Sequence, residues 1–337
     1  MATEDSRYFF ATGAPKSGTV WLSYTLNAHP EIFITGEGIF FGRDPLSAES
    51  WIDEAGFERW CKAQAGWVPT GEPGLRAMRQ RMQRAMVSAV MEERARRVKP
   101  DAQVIGDKTT VSYAVQPERL HAAFPGSRLI HIIRDGRDVA VSYAFHVLRH
   151  GDYSQFRPET QAHLTALAAQ RLRGEPGDLS LFCPETIRFF ANLWARSVRG
   201  RVVAKRLFED RCMEIRYEDL LAEPERIADV FRFLGVNDSL EIVRACVEAN
   251  TFERLSQGRK RGETDATSHF RKGEAGDWVN HFTLEDRLAF VGVAGTDLID
   301  LGYEPDDSWA GGSNGGVNSE VIVPGDTVRG DAERTPR

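Results

Sequence analysis

Cysteine is scarce, and what there is lies scattered. Cys61, Cys183, Cys212 and Cys246 share no paired spacing, which excludes a disulfide scaffold and a thiolate metal site and leaves reduced, mostly buried thiols. No apolar run approaches the ~20 residues a membrane helix needs. The opening MATEDSRYFF has no basic stretch followed by an apolar core, as a secretory leader would. A cytoplasmic protein without integral membrane association is the expectation. Positive charge is not in excess either: 43 Lys and Arg against 49 Asp and Glu give a net charge of −6, which argues against nucleic acid as a partner. No internal repeat is present. What remains is ordinary globular material, 337 residues with 42% hydrophobic and 27% charged content, enough for one large domain or two small ones.

The stretch that organises the chain is RYFFATGAPKSGTVWLSYTLNAHP, residues 7–30. Its aromatic run predicts a buried strand, Gly13–Gly18 a turn, and Thr19 onward a helix whose apolar residues are Leu22, Tyr24 and Leu26. Strand, glycine-rich turn and helix N-terminus together make an anion site, because backbone N–H groups converge there and the helix dipole favours negative charge. Lys16 adds a full positive charge. Gly13 and Gly18 have the glycine spacing of a nucleotide-phosphate loop, yet Thr19-Val20 stands where Lys-Ser/Thr would hold phosphate and magnesium. An anion bound without a metal follows; a plain Gly-Pro turn is the bland alternative.

Further along, Glu31–Thr35 reads as a strand and Glu37 falls just past its end, where parallel sheets place ligands. Residues 75–99 predict a helix with Leu75, Met78, Met82, Met86 and Val90 as its apolar stripe. Val104–Gly106 is a weak strand ending in Asp107-Lys108-Thr109-Thr110. The run RLIHII (128–133) predicts a central parallel strand, with His131 a core residue, Arg134 at its C-terminal end and Ser142 on the following helix. A helix over 185–207, a strand Cys212–Arg216 leading to Tyr217, helices near 224–235, 239–249 and 284–300, and a charged loop over 256–276 complete the pattern. The fold class is therefore α/β: a three-layer sandwich with a central parallel sheet flanked by helices. One domain is expected over 1–309, with insertions at about 43–100 and 150–184 and a disordered tail over 310–337.

Four separated pieces, PKSGTVW (15–21), IIRDGRDVAVSY (132–143), RYEDL (216–220) and RKGEAGDW (271–278), together resemble the sulfotransferases that use 3′-phosphoadenosine 5′-phosphosulfate (PAPS). The resemblance runs from about Arg7 to Tyr303 and implies a P-loop-like sulfotransferase topology. It implies that Lys16 and the backbone of Ser17, Gly18 and Thr19 hold the 5′-phosphosulfate, that Pro15 and Val20 are cofactor-binding beside them, and that Trp21 lies against adenine. Arg134, Ser142, Arg271, Lys272 and Gly273 would take the 3′-phosphate, Tyr217 would contact the nucleotide, and Thr251 with Phe252 would close over the base. No metal is required. Cytosolic members carry a histidine in a Lys-Thr-His segment, which here reads Lys108-Thr109-Thr110. Heparan-type and many bacterial members carry a glutamate before a Phe-Phe pair, and Glu37-Gly38-Ile39-Phe40-Phe41 is similar to that. Glu37 is the preferred base over Asp107, and Lys108 is a second candidate for charge stabilisation.

Two other readings stand beside this one: a P-loop small-molecule kinase or NTPase, and a nucleotide-binding relative that has lost turnover. The acceptor is expected to be a small-molecule or lipid-like alcohol or amine bound by the two insertions, whose Trp51, Trp60, Trp67 and Phe156 lean apolar. Homo-oligomerisation is left open.

Overall fold

A computed structural model describes residues 4–41, 72–173 and 179–311, together with 59, 61 and 63. Trp51, Trp60, Trp67 and the tail beyond 311 lie outside the described residues, as does the first part of the 43–100 insertion.

Among the described residues five parallel strands form one sheet: β1 (Tyr8–Gly13), β2 (Ile32–Gly36), β3 (Val104–Lys108), β4 (Arg128–Ile133) and β5 (Cys212–Arg216), in the order β2-β3-β1-β4-β5. β1 sits in the middle, paired Tyr8 to Ile105 on one side and Phe9 to Arg128 on the other. All six of its residues are buried, as an apolar run covered on both faces requires. The strand period of two divides them. Phe9 and Ala11 pack with Leu22, Leu26, Ile130, Ile132 and Phe231 on one face. Tyr8 and Phe10 pack with Tyr113, Phe124, Leu129 and Phe208 on the other.

The first face is covered by helices α1 (Thr19–Ala28), α9 (Ile227–Leu234) and α10 (Leu240–Ala249). The second carries α2 (Glu72–Val98), α3 (Ser112–Val115), α4 (Pro117–Ala123) and α7 (Pro184–Phe208). Helices α5 (Gly136–His150), α6 (Pro158–Leu172) and α12 (Leu284–Asp300) share a further cluster with α7 around Trp194 and Phe290. Short helices α8 (Tyr217–Ala222) and α11 (Phe252–Leu255) stand at the sheet's C-terminal edge. The expected three-layer α/β sandwich is therefore the architecture seen.

Three details differ from expectation: the stripe of α2, Tyr24 and Phe156. In α2 the residues turned inward are Val87, Met91 and Ala95, while Met82, Met86 and Val90 are more than a third exposed. The buried stripe is displaced by about one residue, so that Val87, Met91 and Ala95 join Tyr8 and Phe124 in one core cluster. Tyr24 points outward, 47% exposed, and faces Phe270 with ring centroids 6.5 Å apart. His131 is wholly buried in β4, as a core histidine, but neither ring nitrogen has the hydrogen-bond partner expected of a satisfied one. Phe156 belongs to the core against Phe189 rather than to a pocket wall.

Candidate functional site

All five strands end on one side, and the chain turns there into the residues singled out above. After β1 the backbone reverses through Lys16 (φ 69°) and Gly18 (φ 94°) into α1. Only glycine fits at 18: a Cβ would lie 2.5 Å from the Tyr217 ring. No side chain caps α1, so its first-turn N–H groups are left to an external partner. The Ser17 hydroxyl is buried without a hydrogen-bond partner.

From the end of β4, Arg134 reaches across the β1 turn. Its Nη1 donates to the Lys16 carbonyl (3.0 Å) and its Nη2 to the Glu274 carbonyl (3.1 Å). Its guanidinium stacks 4.4 Å above the Tyr217 ring, and its Nε is buried without a partner. This arginine ties the first turn to the late loop and keeps one donor in reserve. The β4–α5 turn is held from below by Trp194, whose Nε1 donates to the Arg134 carbonyl at 2.9 Å. Gly136 lies against that indole so closely that a Cβ would approach it to 2.4 Å.

The late loop is fixed by carboxylates. Asp138 accepts from the amides of Gly276 (2.7 Å) and Trp278 (3.0 Å). Asp277 binds Arg271 and, at 2.8 Å, Lys272. Burial alone would raise the Asp277 carboxyl, but the hydrogen bonds from Lys272, Asn280 and Arg271 outweigh it and hold it well below the usual range. Gly273 (φ 72°) abuts Phe252, with no space for a Cβ.

These pieces enclose a cavity of about 330 Å³ lined by Pro15, Lys16, Gly18–Trp21, Glu37, Arg134, Ser142, Tyr217, Phe252 and Arg271–Glu274. A second hollow of about 270 Å³ holds Thr251 and Asn250, with Trp21, Phe252 and Arg261 shared between the two. Trp21 is pinned there by its Nε1 bond to the Asn250 carbonyl, 2.9 Å. Lys16 has its ammonium pKa lowered to about 8, first by burial and then by Arg149, Arg134 and Lys108. The cavity is thus positively charged and short of anions.

Glu37 and Asp107, the two candidate bases, are placed differently. Glu37 stands in left-handed conformation (φ 50°) past β2, lines the cavity and pairs with Lys108 from the end of β3. Asp107 is fully buried and does not line it. Its oxygens accept from Thr35, the Gly38 amide (3.0 Å), Thr109 (2.9 Å) and Tyr113 (2.8 Å). Burial pushes its carboxyl up. Asp107 therefore shapes the 37–39 turn that presents Glu37.

Sequence reasoning misses Tyr143, His146, Arg149 and His269, of which all but Arg149 line the cavity. For two of them a signal is present: His146 and Arg149 continue from Ser142 at helical spacing along α5. Of the 150–184 insertion, no described residue lines the cavity.

A parallel α/β sheet with a basic turn after its central strand, a largely buried arginine at the next strand end and a cationic late loop defines a P-loop-like anion-binding protein. The chain belongs to the sulfotransferase family, whose model matches residues 9–239. It is similar to a flavonol sulfotransferase-like protein of Flaveria bidentis, 27% identical over 216 residues, covering 57% of this chain and 62% of that one. Sulfotransferase 6B1 of Danio rerio is 32% identical over 101 residues, 28% of this chain and 34% of its own. The chain thus spans less than two thirds of these relatives' length. Among solved structures, mouse sulfotransferase SULT7A1 complexed with PAP aligns over 90% of this chain and 88% of its own, with TM-score 0.49 and 16% identity. Among the described residues no helix is long and apolar enough to cross a membrane, and no group of His, Cys, Asp and Glu is arranged to hold a metal ion.

Proposed function

We propose that this protein transfers the sulfuryl group of PAPS to a hydroxyl or amine of a small-molecule acceptor, releasing 3′,5′-ADP. One observation carries the reading: Lys16 and Arg134, from neighbouring strand ends, converge on one cavity, and the buried Arg134 Nε and the Ser17 hydroxyl, which lies in the same turn between Lys16 and Gly18 but not on the cavity wall, have nothing to bind. Unsatisfied buried donors are costly, and phosphate and sulfate oxygens satisfy both. The donor supplies an activated sulfuryl group and a 3′-phosphate.

In this reading Lys16 and the first-turn amides of α1 hold the 5′-phosphosulfate, and Trp21 with Phe252 and Thr251 holds the adenine. Arg134, Ser142, Tyr217, Arg271, Lys272 and Gly273 meet the 3′-phosphate, with Arg271 and Lys272 exchanging part of their hold on Asp277 for it. Arginine suits that task through its paired N–H groups. Glu37 accepts the acceptor's proton as its oxygen attacks sulfur. The bond from sulfur to the bridging oxygen breaks, and Lys16 stabilises the charge that collects there. Lys108 orients Glu37 through the ion pair. Positioning and charge do most of the catalysis, as in phosphoryl transfer.

Calorimetric titration with 3′,5′-ADP, 5′-AMP and ATP in the absence of magnesium tests this. A preference for 3′,5′-ADP of at least tenfold, lost in Arg134→Ala, is expected. Equal binding of 5′-AMP would overturn it and favour a kinase or NTPase.

A further inference from the structure

Helix α5 does more than carry Ser142. Its cavity side continues through His146 to Arg149, about 10 Å further along the axis. Arg149 Nη1 donates to the Ser268 carbonyl at 2.9 Å, and Nη2 meets His146 Nδ1 at 3.0 Å. Arginine is always a donor, so His146 Nδ1 is the acceptor and the ring proton lies on Nε2. On the opposite wall His269 Nδ1 lies 3.4 Å from the Lys16 ammonium. The same logic gives His269 an Nε2 proton while Lys16 is charged. Two imidazole N–H donors therefore stand on residues of the cavity wall, and the Arg149 guanidinium, just off that wall, is bonded to one of the rings.

Their charge is not balanced. Arg137, Arg271 and Lys272 each face a carboxylate, but among the described residues none pairs with Arg149. The two carboxylates on the cavity wall are already engaged, Glu37 with Lys108 and Glu274 with Lys272. Burial first, then Lys16 and nearby Arg149, pushes both imidazoles down to about 4, which leaves them neutral hydrogen-bond donors at neutral pH. A basic residue in the last turn of a helix is ordinarily there to complement the helix dipole. That explains one arginine on α5; it does not explain an imidazole donor, His269, brought to the same spot from a loop more than a hundred residues away.

Resting on the donor reading above, we propose that Arg149, His146 and His269 recognise a carboxylate on the acceptor, which makes the acceptor a small hydroxylated acid. The Nε2–H groups supply hydrogen bonds to the carboxylate, and the Arg149 guanidinium, which keeps N–H groups beyond its two bonds, supplies the positive charge beside them. The reacting hydroxyl is left for Glu37.

The test uses the full chain saturated with 3′,5′-ADP, titrated with 4-hydroxybenzoate and with 4-hydroxybenzamide, which share ring and hydroxyl and differ in charge. The carboxylate is expected to bind at least tenfold more tightly. Arg149→Gln should erase that preference and Arg149→Lys should restore part of it, each measured at 3′,5′-ADP concentrations that saturate the variant. Equal affinities, binding of neither compound, or a preference that survives Arg149→Gln would overturn the proposal. Failure of 3′,5′-ADP itself to bind would count instead against the donor reading, whatever the acceptor titrations show.

Discussion

Lys108 reaches from the end of β3 to the carboxylate of Glu37, which lies just past the neighbouring strand β2. The lysine side chain is buried and the glutamate half exposed to the cavity, 4% against 46%. The pair therefore fixes the direction of a carboxylate without covering it. Glu37→Gln keeps the size and loses the proton acceptor. Turnover should fall by roughly 10²–10⁴-fold while 3′,5′-ADP affinity stays within a few-fold. Steady-state rates beside calorimetry separate the two, and near-native turnover in the variant would remove Glu37 from the role of base.

Lys16 makes donor binding pH-dependent. Its pKa in the empty site is about 8, and a bound anion raises it, so binding takes up a proton when the pH exceeds that value. Affinity for 3′,5′-ADP should be level below about pH 7.5 and decline above 8, by up to about tenfold per unit. Lys16→Arg should extend the plateau upward because arginine does not deprotonate in this range. Lys16→Ala should abolish turnover with the melting temperature little changed. A flat wild-type profile from pH 7 to 10 would contradict the assignment.

Arg134 is held in two ways, by packing that leaves 11% of its side chain exposed and by its bonds to two carbonyls. Arg134→Ala should therefore lose both the 3′-phosphate contact and the tie between the loops. The expected result is a loss of 10²-fold or more in 3′,5′-ADP affinity, about 3 kcal/mol, with a much smaller effect on 5′-AMP. An equal loss for both nucleotides would reduce Arg134 to a loop anchor.

Asp107 is expected to matter for stability first. Its four donors would be stranded in Asp107→Ala, a cost of about 3 kcal/mol, read as a drop in melting temperature. Because the same carboxylate holds the Gly38 amide, kcat should fall too, while 3′,5′-ADP binding persists. Unchanged stability would show that the network is dispensable.

Much of the frame is legible in the amino-acid order alone, because its signals are local. β1 and β4 announce themselves as apolar runs, and Lys16, Arg134 and the 271–273 triplet sit in motifs whose spacing is their meaning. What escapes such reading is decided by pairing across the chain. Whether Val87 or Met86 turns inward on α2 depends on Phe124, which no helical period contains. Asp107 and Glu37 look interchangeable as acidic residues past strands; only the arrival of Thr35, Gly38 and Tyr113 around one of them separates their roles. His146 and His269 become neighbours of Lys16 through folding alone.

Helix α5 holds the late loop at two places, through Asp138 at Gly276 and Trp278 and through Arg149 at Ser268. Along the axis those anchors are about 16 Å apart, whereas the stretch between Ser268 and Gly276 can extend to about 27 Å. The surplus chain is the stretch from His269 to Glu274, which lines the anion cavity. The position of that wall is thus set by loop length as much as by any side chain: one residue removed between 268 and 276 would draw it toward Lys16, and one added would let water past it.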